Sequence, residues 1–307
     1  MLVFVVLRWR CFGVTGITLF LVLIAQNEVM RWLLINVLLV ICLGPSARAT
    51  ELKPETAAAF DQYVRVTEAR MADDLLHNEF LIIDGLAEQR RSQAIAQLQR
   101  GEIFITRQRT QQDHHSIRVP NGLIHHWVAV VFIPGATLPG VLAVLQDYDN
   151  QQNFYKPVLR GSKLVEMQGN DSKVFLQFAN SAGARVVLNA NFDVTDVDFG
   201  TDRHEIATRS TRVAELSDPG EPTEHELPVG KDHGYMWRLN SYWRVEEKDG
   251  GVYIQNESIE LSRTIPAILA WFVNPLVESI PRNTLTSLLN NTRKEVLRRQ
   301  GIDSNHS

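Results

Sequence analysis

The chain has 307 residues, with 31 Lys and Arg against 35 Asp and Glu, for a formal charge of −4. Its 45% hydrophobic and 21% charged residues are those of a globular protein. That excludes a disordered tail protein, a collagen-like chain and a polytopic membrane protein, and the charge lacks the basic excess of a nucleic-acid binder.

The first 49 residues differ from the rest. They contain two apolar runs, and their only charges are Arg8, Arg10, Glu28, Arg31 and Arg48. From Met30 the order is a basic residue, an apolar core from Trp32 to Leu43, a Gly44-Pro45 break and Ala47-Arg48-Ala49 before Thr50. That is the order of a secretory signal peptide, with an apolar core shorter than the roughly 20 residues that span a bilayer. The expectation is an exported, periplasmic protein cleaved after Ala49. Residues 1–29 then read either as a membrane anchor or as sequence upstream of the true start, and the complete signal from Met30 favours the second.

Removing the leader takes away four Arg, one Glu and both cysteines, Cys11 and Cys42. Residues 50–307 therefore carry 27 basic and 34 acidic side chains, a charge of −7. A cysteine-free chain has no disulfides, no thiol nucleophile and no thiolate metal ligands.

The mature chain opens with a helical pattern. Pro54 suits a first helical position, and Ala57, Phe60, Tyr63, Val64, Thr67 and Met71 follow at helical spacing. Leu86–Leu98 is a second helical pattern, closed by Gly101. From Glu102 the period becomes two, with Ile103 and Ile105 alternating with Phe104 and Thr106. Ser116–Val119 and Leu123–Ile133 flank Pro120-Asn121-Gly122 and predict a hairpin. Leu138–Leu145 reads as a short helix. Lys163–Gln168 with Lys173–Ala179 is a further hairpin, followed by strands over Arg185–Val197 and His204–Glu215. Asp218–Gly234 reads as a loop. Tyr235–Glu247 and Val252–Ser262 form a hairpin about Asp249-Gly250. After an uncharged run from Ile265 to Val273, an amphipathic helix extends from Pro281 to about Arg299.

This order predicts an α+β architecture: a curved antiparallel sheet around a long C-terminal helix, the helix-grip fold, with an N-terminal helical extension. The divisions are a leader (1–49), a helical extension (50–101), the sheet domain (102–300) and a tail (301–307).

Several segments carry a resemblance. His125-His126-Trp127-Val128-Ala129-Val130-Val131-Phe132-Ile133-Pro134-Gly135, running to Gln146-Asp147-Tyr148-Asp149, is similar to START-related sequences. So are Tyr242-Trp243-Arg244, Gly250-Gly251-Val252-Tyr253, Leu261-Ser262-Arg263 and Ile265-Pro266. The likeness is to the START and polyketide-cyclase superfamily, over roughly residues 102–300, and to exported bacterial members of it. It implies a cavity that holds a lipid or another apolar molecule, or, in a minority of members, cyclase or aromatase chemistry.

The remaining constellations are weaker. Adjacent residues on a strand point to opposite faces, so neither His114-His115 nor His125-His126 offers two rings to one ion, and they read as polar strand positions near a rim. Asp193, Asp196, Asp198 and Asp202 lack the glycine spacing of a calcium loop and read as the wet side of a strand. No metal or cofactor is expected, and the chain has no Gly-rich phosphate loop.

Counting outward from Asp249-Gly250 sets Tyr242 opposite Glu257 with Arg244 diagonal. Alternation favours the face with Trp237, Leu239, Trp243, Val245 and Ile254 as the inner one. The charged cluster then lies outside, as a surface network worth little. The candidate ligand-binding residues are Trp127, Trp237, Ser241, Trp243, Ser258, Glu260 and Trp271, with Trp271 and Phe272 also suited to transient membrane contact. The functional expectation is a non-enzymatic binding protein for a hydrophobic small molecule or lipid. Its alternatives are a cyclase-type enzyme and a structural protein with a filled cavity.

Overall fold

The computed structural model describes residues 51–180, 186–264 and 267–301; for Asn180 and for 267–278 it describes the backbone element alone. Two helices come first, α1 (Pro54–Leu76) and α2 (Glu88–Gln99). The sheet strands are β1 (Phe104–Arg107), β4 (Gly122–Pro134), β5 (Leu159–Gln168), β6 (Asp171–Asn180), β7 (Val186–Asp198), β8 (Arg203–Ser217), β10 (Arg238–Lys248) and β11 (Gly251–Arg263). Short β2 (Gln111–Gln112) and β3 (His115–Ser116) pair with each other, and β9 (His225–Glu226) pairs with β8. Two short helices, α3 (Leu138–Leu145) and α4 (Gln151–Phe154), follow β4, and α5 (Ala267–Gln300) closes the described chain.

The strand order is β1-β4-β11-β10-β8-β7-β6-β5, antiparallel at every pairing. This curved sheet with α5 across it is the helix-grip α+β fold.

The β10–β11 hairpin follows its turn chemistry. Asp249 and Gly250 both have positive φ, 56° and 75°, which closes a two-residue turn whose twist matches that of the strands. The register runs from Lys248 opposite Gly251 outward to Tyr242 opposite Glu257.

Two expectations about elements are corrected. Ser116–Val119 does not pair with β4: β3 turns back on β2 through Asp113 and His114, both at positive φ, and β4 instead lies between β1 and β11. Asn121 does make a tight turn, but that turn feeds β4 without forming a hairpin. The C-terminal helix begins at Ala267, ahead of Pro275 and Pro281. A proline removes one ladder hydrogen bond without ending a helix whose later turns are packed, and Leu285, Leu289 and Val296 are all buried.

Alternation along each strand gives the sheet two apolar faces. The inner face contributes Ala129, Val131, Ile133, Phe192, Val245 and Ile254 to the main core beneath α3 and α5. The outer face is covered as well. Phe60, Tyr63, Val64 and Met71 of α1 pack on Tyr242, Ile259 and Leu261. Ala94 and Leu98 of α2, with Phe80, Leu81 and Ile83 from the connection, join a cluster with Val130, Phe132 and Tyr253.

This cover overturns the reading of the charged cluster as a surface network. The cluster does point away from the inner face, but α1 and the connection that follows it cover it. Glu257 is 1% exposed, takes a hydrogen bond at 2.7 Å from the His126 ring and ion-pairs with Arg70 at 2.5 Å. The other His126 ring nitrogen meets the Tyr63 hydroxyl at 2.9 Å. Tyr242 donates to Glu68 at 2.7 Å, while Arg244 reaches Glu205 and the carbonyls of Phe80 and Met71. Burial alone would raise the Glu257 pKa, yet His126 and Arg70 outweigh it and hold the carboxyl below its ordinary value.

The histidines and aspartates are corrected with it. His125 and His126 are buried on opposite faces, whereas His114 and His115 are exposed. Asp196 and Asp198 are also more than a wet strand edge, since both accept from His204 at 2.8 and 2.7 Å. Among the described residues, no group of three or more His, Asp or Glu is placed to hold a metal ion.

Candidate ligand-binding cavity

Between the inner sheet face and α5 lies a cavity of about 460 Å³, within the roughly 300–1,000 Å³ of small-molecule sites. Its wall is apolar over most of its extent. The central strands supply Val174, Leu176, Phe192, Val194, Ile206 and Trp243. From α5 come Ile280, Leu285 and Leu288, and from the α3–α4 segment Leu145, Tyr148 and Tyr155.

Polar groups gather along β11 and its neighbours. Asn256, Ser258, Glu260 and Ser262 are alternate residues of β11, so all four project to the inner face and line the cavity. Ser241 stands across from Ser258 on β10, and His125 stands across from Glu260 on β4. The Asn256 amide donates to the Ser241 hydroxyl at 2.7 Å, and the His125 ring lies 3.1 Å from the Ser262 hydroxyl.

Glu260 differs from these neighbours. It sits deep in the protein, and its remaining accessible surface faces the cavity. Among the described residues no hydrogen bond or ion pair reaches its carboxyl, and no Lys or Arg lines the cavity. Removal from water therefore pushes its pKa up to about 7, the effect of desolvation without a compensating charge.

Tyr148 is the second notable group. Its hydroxyl is buried without a partner among the described residues, and burial, aided by the nearby Asp196 carboxylate, raises its pKa. The Tyr155 hydroxyl is satisfied by Thr292 at 3.0 Å.

Of the residues expected from sequence, Ser241, Trp243, Ser258 and Glu260 line the cavity. Trp127 faces the same side and packs against the inner core without lining the cavity. Trp237 is displaced to the outer face. It precedes the first β10 residue, where strand alternation no longer applies, and it packs with Phe60 and Tyr63 while its indole donates to Asp232 at 3.3 Å. The side chain of Trp271 lies outside the described residues. Asn256, His125 and Tyr148 were missed, although strand parity with Ser258 and Trp127 places the first two on the inner face.

No family model matches the chain, and no curated protein matches it. Solved structures do align with it. An aromatase/cyclase from Streptomyces sp. R1128 shares 15% identity over 58% of this chain and 96% of its own, with a TM-score of 0.41. A STAR-related lipid transfer protein from Xanthomonas axonopodis shares 18% over 61% and 98%, at 0.39. A protein from Thermus thermophilus shares 13% over 58% and 98%, at 0.40.

Proposed function

We propose that the chain is an exported binding protein that holds one apolar molecule, of lipid type, beneath α5. The observation that carries this reading is the cavity of about 460 Å³, apolar over most of its wall with polar groups along β11 and its neighbours. Affinity then comes from burial, about 0.8 kcal/mol per methylene, and the polar groups set orientation. Export, with a mature start at Thr50, is supported by the signal-like order of residues 30–49. Exchange of the ligand at a membrane rests on the uncharged run containing Trp271 and Phe272.

Mass spectrometry of organic extracts of the purified protein tests this reading. One co-purified apolar species at near-equal stoichiometry supports it, whereas a protein with nothing extractable that takes up no apolar molecule in solution counts against it.

A second reading, cyclase-type catalysis, has one observation behind it. Glu260 and His125 face each other at the cavity wall, and a carboxyl with a pKa of about 7 suits proton transfer. The Tyr242, Arg244 and Glu257 cluster that such chemistry would call on lies on the far side of the sheet. A ligand recovered unchanged after incubation with the protein separates binding from catalysis.

A further inference from the structure

Glu260 raises a question that apolar burial does not answer. A carboxyl deep in a protein is normally paired, because leaving it without a partner costs free energy. Among the described residues every candidate is engaged elsewhere or absent. His125, directly across on β4, turns a ring nitrogen to Ser262, and Leu239 is the facing residue on β10. Among the described residues, the other titratable groups lining the cavity are Tyr148, Tyr155 and Tyr235, and those of α5 that line it carry no charge. Among the described residues the carboxyl therefore faces the cavity without a partner.

We propose, resting on the binding reading above, that the cavity takes an amphiphile whose apolar body is capped by a hydrogen-bond-donating head, an amine or a hydroxyl, seated on the Glu260 carboxyl. Lipids headed by carboxylate or phosphate are discriminated against. An ammonium head forms a charge-assisted hydrogen bond and neutralises the buried carboxylate, and a hydroxyl donates to it. An anionic head would meet a like charge at pH 8, with no Lys or Arg among the described lining residues to offset it. The bound end lies on β11, with Ser258 and Ser262 two residues to either side of Glu260.

The test uses three ligands with one apolar body, dodecylamine, dodecanol and dodecanoate, displacing the neutral probe N-phenyl-1-naphthylamine from the mature protein. At pH 8 the amine should bind at least about tenfold more tightly than the carboxylate, with the alcohol between them. In Glu260→Gln the amine-to-carboxylate ratio should fall to within about threefold. Between pH 5.5 and 8 the wild-type affinity for the amine should rise as the carboxyl ionises, and in the variant, where only the His125 ring across from it can ionise in this window, the rise should be smaller. Equal binding of all three by wild type, or an order unchanged in Glu260→Gln, overturns the head-group proposal and leaves apolar binding standing. Failure of wild type to bind even the neutral probe overturns the binding reading itself. If the variant does not fold, the wild-type order of the three ligands at pH 8, where a histidine is largely neutral, decides alone.

Discussion

Glu257→Ala should destabilise the protein far more than Arg70→Ala, although the two residues form one ion pair. The Glu257 side chain is 2% exposed and holds both the His126 ring and the Arg70 guanidinium, which is itself 36% exposed. Removing the carboxylate leaves His126 buried without its acceptor, and breaking a buried pair in this way costs about 3 kcal/mol. Removing Arg70 leaves Glu257 bonded to His126 and lets water enter at a half-open site, so the cost is about 1 kcal/mol. For a chain of this size the first loss lowers Tm by about 6–12 °C. Urea denaturation with a common m-value measures both. The sign of the pH dependence follows from the depressed pKa: this stabilisation is present above the ordinary carboxylate range and is lost as pH falls through the folded-state value. Equal costs for the two variants, or a Glu257→Ala loss below about 1 kcal/mol, would refute a sealed outer network.

Three further outcomes are expected. His204 is held by Asp196, and more weakly by Asp198, with its pKa raised against the opposing effect of burial. Its contribution is therefore complete below about pH 6.5 and declines as pH rises through the folded value, and His204→Gln should flatten that decline in thermal scans. Deleting residues 51–101 should abolish cooperative unfolding by circular dichroism, since it strips Tyr242, Tyr253, Ile259 and Leu261 of their cover; a soluble two-state product of similar Tm would contradict this. In the empty protein, stability should fall from about pH 4.5 to 7, where Glu260 ionises in the unfolded chain but stays protonated in the folded one, and Glu260→Gln should remove that component.

The closing hairpin was legible because Asp249-Gly250 fixes its register, and one register assigns every side chain on both strands to a face. The inner face followed from Trp243 and Leu239, and with it Ser241, Ser258 and Glu260. Burial of the other face did not follow, since alternation compares two faces and says nothing of what covers the more polar one. A signal was present in β11, where Tyr253, Ile259 and Leu261 share the face of Glu257, and in α1, whose stripe from Phe60 to Met71 needs an apolar partner. Trp237 was misplaced by extending strand parity past the strand's first residue. The lone carboxyl of Glu260 could be named from sequence as a polar group among apolar neighbours, but its lack of a partner is a property of the folded cavity.

The binding claim is tested most directly by titrating N-phenyl-1-naphthylamine into the delipidated protein beside Leu176→Trp. Leu176 lines the cavity, and an indole in its place would occupy the volume a ligand needs. Wild type should bind one probe per chain in a saturable isotherm, with affinity reduced at least about tenfold in the variant at unchanged circular dichroism. Equal binding by the filled variant, or no saturable binding by wild type, would contradict a ligand site beneath the C-terminal helix.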